Sequence, residues 1–450
     1  MTTDMTKGNP AKLIFFFAIP FLIGNIFQQF YNIADTVIVG RILGVEALAS
    51  VGATGSFVWF AMGSIQGLTA GFSAITAQRF GADDKEGIKK SFAMSIILSI
   101  VFTAILTAFT TTMAYPILRL LNTPADIIEG SYNYVIWIFS GLFATTLFNL
   151  LSNIMRALGD SKTPLIFLII ACVINIILDV VCITVFKMGT AGAGFATFIA
   201  QLISGILCLF YMMRKFPILR ITAKDMAVNK EMIIQLMRIG VPMAFLNIVL
   251  SVGGIIIQFV NNGLGTLYVA SYAAANKIEQ FIIQPIISFG SALSVYVAQN
   301  YGAKNGERIK KGVNQCMLMT FAFSILGTIL MIITGRGLMY MIAGGESQEL
   351  LNNGYKYIVI NSTLTLILAP LVLYKSSLQA VGRTFVSVLT GFIEVGCRAG
   401  ASILLTAMFG FTGLCFANPA AWLGALIPII FDYAAFVKKI SKPSEQEKKA

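Results

Sequence analysis

The chain has 450 residues, of which 57% are hydrophobic and only 12% charged, with a net charge of +12 and no histidine. Its mean hydropathy of +0.82 lies well outside the soluble range, where charged residues make up roughly 25% of a domain. Without histidine the commonest general base and metal ligand is missing. The six cysteines all sit in apolar runs with no CxxC pair, so neither a disulfide framework nor a zinc site is indicated and an enzyme is not expected.

The first residues, MTTDMTKGNP, are polar, and the first apolar run covers 12–39. It is too long for a signal peptide and lacks a small-residue cleavage site, so it reads as a retained spanning helix. Its later part, NIFQQFYNIADTVIVG, spaces Asn25, Gln28, Asn32 and Asp35 at intervals of 3, 4 and 3, with Tyr31 beside them. That spacing makes one polar stripe on a helix, which must face another helix or water and not lipid. Runs follow at 52–80, 91–118 and 131–156, the last with Asn149 and Asn153 one turn apart. The run 163–186 carries Asn175 and Asp179 one turn apart, and 190–213 offers the hydroxyl of Thr197. If these groups converge they form an oxygen-rich acidic site of the kind hard cations want; interhelical amide hydrogen bonding around a protonated Asp179 is the other reading.

A basic stretch, 214–231, separates this half from runs at 232–260, 270–300, 312–342, 354–381, 385–409 and 413–437, with a polar tail over 438–450. Each run can cross ~30 Å of hydrocarbon, and continuous apolar character favours helices over an alternating β-barrel. The second half holds Lys277, Glu279, Lys375, Glu394 and Arg398 at membrane depth. Such charges are costly there, about 2.5–3.5 kcal/mol each, and are expected to pair. Glu394 and Arg398 are i, i+4 on one helix, and Glu279 is the expected partner of Lys375. The network reads as structural or gating, or as part of coupling.

The chain repeats itself. AQRFGADDKEGIKKS (77–91) returns as AQNYGAKNGERIKKG (298–312), and LGVEALASVGA (43–53) as LGTLYVASYAA (264–274). Pro20 and Pro242 occupy equivalent places and are expected to act as bending points. The expected fold is therefore an all-α membrane protein of twelve transmembrane helices in two pseudo-symmetric six-helix bundles: lobes 1–213 and 232–437, joined by the cytoplasmic linker 214–231 and followed by a cytoplasmic tail. Parallel repeats of this kind suit alternating access, and equally a channel or scaffold. Basic residues crowd the linker, the even loops and both termini, leaving only Arg41, Arg119, Lys187, Arg336 and Lys356 opposite. Both termini are thus expected in the cytoplasm, and the charge reads as an orientation signal and not as a nucleic-acid surface.

Several stretches carry a family resemblance: IPFLIGNIFQQFYNIADTVIVGRILGVEALAS, GLTAGFSAITAQRFGADD, NIMRALGDSKTP, NIILDVVCI with GTAGAGFAT, and QNYGA. Together they resemble the multidrug and toxic compound extrusion (MATE) transporters of the multidrug/oligosaccharidyl-lipid/polysaccharide flippase superfamily, over essentially the whole chain. The resemblance implies two lobes forming a V-shaped cavity in the bacterial cytoplasmic membrane, and export driven by Na+ or H+ antiport. It implies that Asp35, Asn175, Asp179 and Thr197 form the cation site, open to Na+, and that Tyr31, Asn149 and Asn153 line the substrate cavity, which Gln28 and Asn32 of the polar stripe would extend. Another bacterial branch has a glutamate on helix 7 and an aspartate on helix 10. Here those helices offer only Asn247 or Ser251 and the apolar LILAPLVLYK, which favours the first-lobe site. Small cationic organic compounds are the expected substrates, with the lipid bilayer as the surroundings, no resident cofactor, and a monomer as the working unit. A lipid-linked or polysaccharide-precursor flippase is the alternative; its anionic cargo would call for cavity arginines.

Overall fold

The computed structural model describes residues 3–222, 225–343 and 347–441, and among these it contains helices and connecting turns but no strand. The first half comprises α1 (Pro10–Leu43), α2 (Val45–Ala53), α3 (Gly55–Gly81), α4 (Lys85–Leu120), α5 (Ile128–Ser140), α6 (Leu142–Ala157), α7 (Lys162–Val180) and α8 (Thr190–Lys215). The second comprises α9 (Lys230–Asn262), α10 (Thr266–Gly302), α11 (Gly306–Ala343), α12 (Gln348–Ala380), α13 (Phe385–Phe409), α14 (Phe411–Cys415) and α15 (Ala417–Ile440). Among the described residues eleven helical stretches are long and apolar enough to cross a bilayer, and α5 with α6, bent by 47° at Gly141, makes the twelfth. The expected spans are therefore present, one of them broken. Part of the expected tail, 442–450, lies outside the described residues, as do 223 and 224 of the linker.

The repeat extends to the backbone. Left-handed residues recur at matched places: Gly44 (φ +90°) and Gly265 (φ +106°), Asp83 (φ 54°) and Lys304 (φ 58°), Gly189 (φ +60°) and Gly410 (φ +57°). After the Asp83 turn, Asp84 caps α4 by accepting from the Gly87 N–H at 2.8 Å. After the Lys304 turn, Asn305 does the same for the Arg308 N–H at 3.2 Å. An aspartate and an asparagine serve alike because a cap needs only a side-chain oxygen.

The chain divides into two compact units, Met1–Asp4 with Ile23–Asn247, and Met5–Leu22 with Ile248–Ala450. These bounds differ from the expected lobes 1–213 and 232–437: besides the cut after Asp4, the chain passes between units inside two helices, shortly after Pro20 in α1 and after Pro242 in α9. Packing is the reason. In unit 1, Leu236 and Ile239 of α9 join the core built on Phe72, Phe92 and Leu151. There Gly67 and Gly71 of α3 let α9 approach so closely that a Cβ on either would meet Met243 or Gly240 at 2.5 Å, the small-residue packing that membrane helices use in place of a hydrophobic drive. In unit 2, Phe15 of α1 lies 6.4 Å from the rings of Phe289 and Phe323. Both α1 and α9 run unbroken through their prolines.

Candidate functional site

In unit 1, α1, α7 and α8 bring three polar faces together. The face of α1 carries Gln28, Tyr31 and Asp35, α7 presents Asn175 and Asp179, and α8 presents Thr197 with Gln201 one turn on. Asp179 is fully buried and Asp35 is 8% exposed. The two carboxyl groups lie within hydrogen-bonding reach of one another. With its amide oriented to satisfy both ends, Asn175 donates to Asp179 Oδ2 at 3.0 Å and accepts from the Thr197 N–H at 3.2 Å. The Tyr31 and Thr197 hydroxyls are hydrogen-bonded at 3.1 Å. Neither aspartate forms an ion pair among the described residues. One oxygen of each, Asp35 Oδ1 and Asp179 Oδ1, is buried with no partner. Immediately after Asp179, α7 widens into a π-helical turn, Val181–Val185, a device frequent at functional sites because it re-aims side chains locally.

This arrangement can hold a proton or a hard cation. Two acids so close cannot both stay ionised unless a cation sits between them, and the neighbouring oxygens of Thr197, Tyr31 and Asn175 are ligands for such an ion. Among the described residues no group of three or more Cys, Asp or Glu side chains is placed to hold a metal ion. Beside the acids a cavity with an empty volume of about 210 Å³, counted out to where it opens, is lined by Gln28, Tyr31, Cys172, Asn175, Thr197 and Gln201 among others.

The sequence-read residues divide. Asp35, Asn175, Asp179, Thr197 and Tyr31 converge, and Gln28 reaches the adjoining cavity. Asn32 does not: it is exposed, and Tyr31 takes the inward place in the stripe because a helix turns 28, 31 and 35 to one side as readily as 28, 32 and 35. Asn149 and Asn153 are not among the groups that meet the acids. Asn149 donates to the Thr145 carbonyl of its own helix at 2.9 Å, and Asn153 donates to Thr69 Oγ1 of α3 at 3.1 Å.

In unit 2, Glu394 accepts from Arg398 Nη2 at 2.9 Å as its spacing predicts. Lys375, however, pairs with Glu394 at 3.7 Å and not with Glu279. Glu279 instead accepts from the Tyr357 hydroxyl at 2.8 Å. A tyrosine hydroxyl also donates to a carboxyl group, which charge counting overlooks. Lys277 is exposed and forms no ion pair among the described residues.

Sequence reasoning missed Gln201, an uncharged residue whose i, i+4 relation to Thr197 was its only signal. It missed buried Asp432, which pairs with Arg383. It also missed the Asp160–Lys215 pair at 2.8 Å, where Asp160 additionally accepts from the Thr163 N–H at 3.0 Å and hydroxyl at 2.7 Å. Asp160 lies between helices. Burial would raise its pKa, but the hydrogen bonds from Lys215 and Thr163 outweigh this and hold it below the usual carboxylate range.

Fold and site together define a polytopic helical membrane protein with two homologous halves and a buried acid pair in the first. The MatE family model matches it twice, over residues 20–181 and 242–404, once per half. The chain belongs to this family of multidrug and toxic compound extrusion (MATE) transport proteins. Similar chains include two from Bacillus subtilis (strain 168). One is the probable multidrug resistance protein YoeA, 26% identical over 98% of this chain and 96% of that one. The other is the probable multidrug resistance protein YpnP, 29% identical over 68% of each. In fold it matches an outward-facing multidrug resistance MATE family transporter of the MOP superfamily, with a TM-score of 0.91 at 21% identity, covering 98% of this chain and 100% of the other.

Proposed function

We propose that this protein is a secondary active antiporter that exports lipophilic, cationic organic compounds in exchange for Na+ or H+. The observation that carries the reading is the Asp35–Asp179 pair, buried inside unit 1 without a basic partner among the described residues. An acid pair left without a counter-ion at membrane depth favours a cation arriving from outside. Coupling ion and exported cation can then compete for one set of negative charges, which is the minimal physical basis of exchange: arrival of one expels the other. Relatives described as multidrug resistance and multidrug export proteins support the substrate class. The flippase alternative needs several basic groups free for anionic cargo, whereas Lys375 and Arg398 both engage Glu394, which leaves Lys277 alone of that group without an ion pair among the described residues. We further propose a monomer in the bacterial cytoplasmic membrane, both termini and the 214–231 linker cytoplasmic, from the placement of basic residues.

The test is efflux of a panel of fluorescent dyes, cationic, neutral and anionic, from a pump-deficient bacterial strain. Cationic dyes should leave faster when this protein is present, and not when Asp179→Asn replaces it at equal membrane abundance. Preferential export of anionic dyes would overturn the substrate class.

A further inference from the structure

The repeated turn, between α3 and α4 in unit 1 and between α10 and α11 in unit 2, has kept its backbone and changed its charge. In unit 1 the stretch 77–91 sets four basic residues against three acidic ones, Asp83, Asp84 and Glu86. Arg79 pairs there with Asp84 at 3.1 Å and Lys90 with Glu86 at 2.7 Å. In unit 2 the stretch 298–312 sets four basic residues against Glu307 alone. Lys310 takes Glu307 at 2.7 Å, and Arg308 turns inward to the Met5 carbonyl at 3.2 Å. Lys304 and Lys311 are left exposed, with no ion pair among the described residues. The end of α15 joins this turn. A Cβ on Gly306 would lie 2.6 Å from the Ile440 carbonyl oxygen, and the rings of Tyr301 and Phe436 are 6.3 Å apart. The last turn of α15 thereby brings Lys438 and Lys439 to the same end of unit 2, both exposed and without an ion pair among the described residues.

We propose that this corner of unit 2 binds the headgroup of an anionic phospholipid through Lys304, Lys311, Lys438 and Lys439. The four stand where the spanning helices α10, α11 and α15 end, the level at which a bilayer presents its phosphates. Four or more basic residues gathered beside a spanning helix are the pattern that anionic headgroups attract. Long lysine stems lie along the apolar helix ends while their ammonium groups reach one phosphate. Tyr301, exposed at the same end, adds an amphipathic ring of the kind that settles at headgroup depth. The matching corner of unit 1 is not built this way: its lysines face three acids, and Lys215 at the end of α8 is taken by Asp160 at 2.8 Å. An orientation signal needs basic residues on this face, but neither their gathering about one helix contact nor the loss of the acids. The inference stands apart from the antiport reading.

The test follows thermal melting of the full-length purified protein in an uncharged detergent as dioleoyl phosphatidylglycerol is titrated in, since a ligand of the folded state raises the melting temperature. Phosphatidylglycerol should raise it. Dioleoyl phosphatidylcholine, with the same chains and no net charge, and inorganic phosphate at equal phosphorus concentration should not. Replacing Lys304, Lys311, Lys438 and Lys439 together by glutamine should move the phosphatidylglycerol midpoint up by about tenfold or more. Should that protein fail to fold, Lys304→Gln with Lys311→Gln and Lys438→Gln with Lys439→Gln, made as separate pairs, should each show part of the shift. Lys85→Gln with Lys89→Gln, in the matching turn of unit 1, should leave the midpoint where it is. An unchanged midpoint in the unit 2 variants overturns the proposal. A shift as large in the unit 1 variant also overturns it, since the attraction is then diffuse. Equal stabilisation by phosphatidylcholine or by inorganic phosphate overturns the headgroup as the ligand.

Discussion

In unit 1 the carboxyl groups of Asp35 and Asp179 are buried with no ionic partner among the described residues, whereas in unit 2 Glu394 lies between Lys375 and Arg398. Two bundles of one ancestry thus treat buried charge differently. Unit 2 neutralises Glu394 internally, while its buried Glu279 is held by the Tyr357 hydroxyl and forms no ion pair among the described residues. Arg398 fits so closely that a Cβ on Gly253 would lie 2.4 Å from its Nη1. Unit 1 leaves Asp35 and Asp179 without an ion pair among the described residues, as the proposed cation exchange requires. A second pair of sites teaches the same lesson at the helix ends. The turn after α6 uses Asp160 to reach Lys215 of α8, and the corresponding turn after α12 uses Arg383 to reach Asp432 of α15. The bridge persists with its polarity exchanged, so fastening these helices needs opposite charges but no particular order. Among the described residues of unit 2 no second acid pair corresponds to Asp35 and Asp179, and the proposed function rests on that asymmetry.

The largest structural effect should follow from Glu394→Ala, which leaves Lys375 and Arg398 without their shared counter-charge. Breaking a buried pair costs about 3–5 kcal/mol, so folded yield in detergent should collapse. Asp179→Asn should leave yield at or above wild type. A robust Glu394→Ala protein alongside a misfolded Asp179→Asn protein would erase the contrast between units.

A smaller effect separates the two ends of one bridge. Asp160→Ala should destabilise more than Lys215→Ala, because Asp160 also caps α7 through Thr163 and a lost cap costs about 0.5–2 kcal/mol. The sign with pH is fixed: a carboxyl held below its usual range contributes its full stabilisation above the ordinary carboxylate pKa and loses it as pH falls through the lower folded value. Melting curves across acid pH should therefore lose part of their slope in Asp160→Asn. Equal destabilisation by the two alanine variants would leave the cap without a role.

Much of this was legible in the sequence, and the gaps have physical causes. Asp35, Asn175, Asp179 and Thr197 could be read together because ionisable and amide groups in long apolar runs are too expensive to be accidental. The choice between Tyr31 and Asn32 could not be read, since both fit a helical stripe and only the packing of α7 and α8 decides which turns inward. Gln201 carries no charge and so gave no energetic alarm. The partner of Lys375 was misassigned because pairing between helices depends on depth and rotation, which spacing within one helix does not encode. The unit boundary was displaced for a related reason: the apolar pattern of α9 says that it is a helix, but not which bundle its first turns join.

The central claim is that coupling ion and exported cation compete for the Asp35–Asp179 pair. The most direct measurement is cationic dye efflux from proteoliposomes under an imposed Na+ gradient and, separately, an imposed pH gradient, comparing wild type with Asp179→Asn and Asp35→Asn. Asparagine keeps the shape of each side chain and removes its charge. Wild type should respond to at least one gradient, Asp179→Asn to neither, and Asp35→Asn to neither or only very slowly. Full gradient-driven efflux by Asp179→Asn would contradict the account.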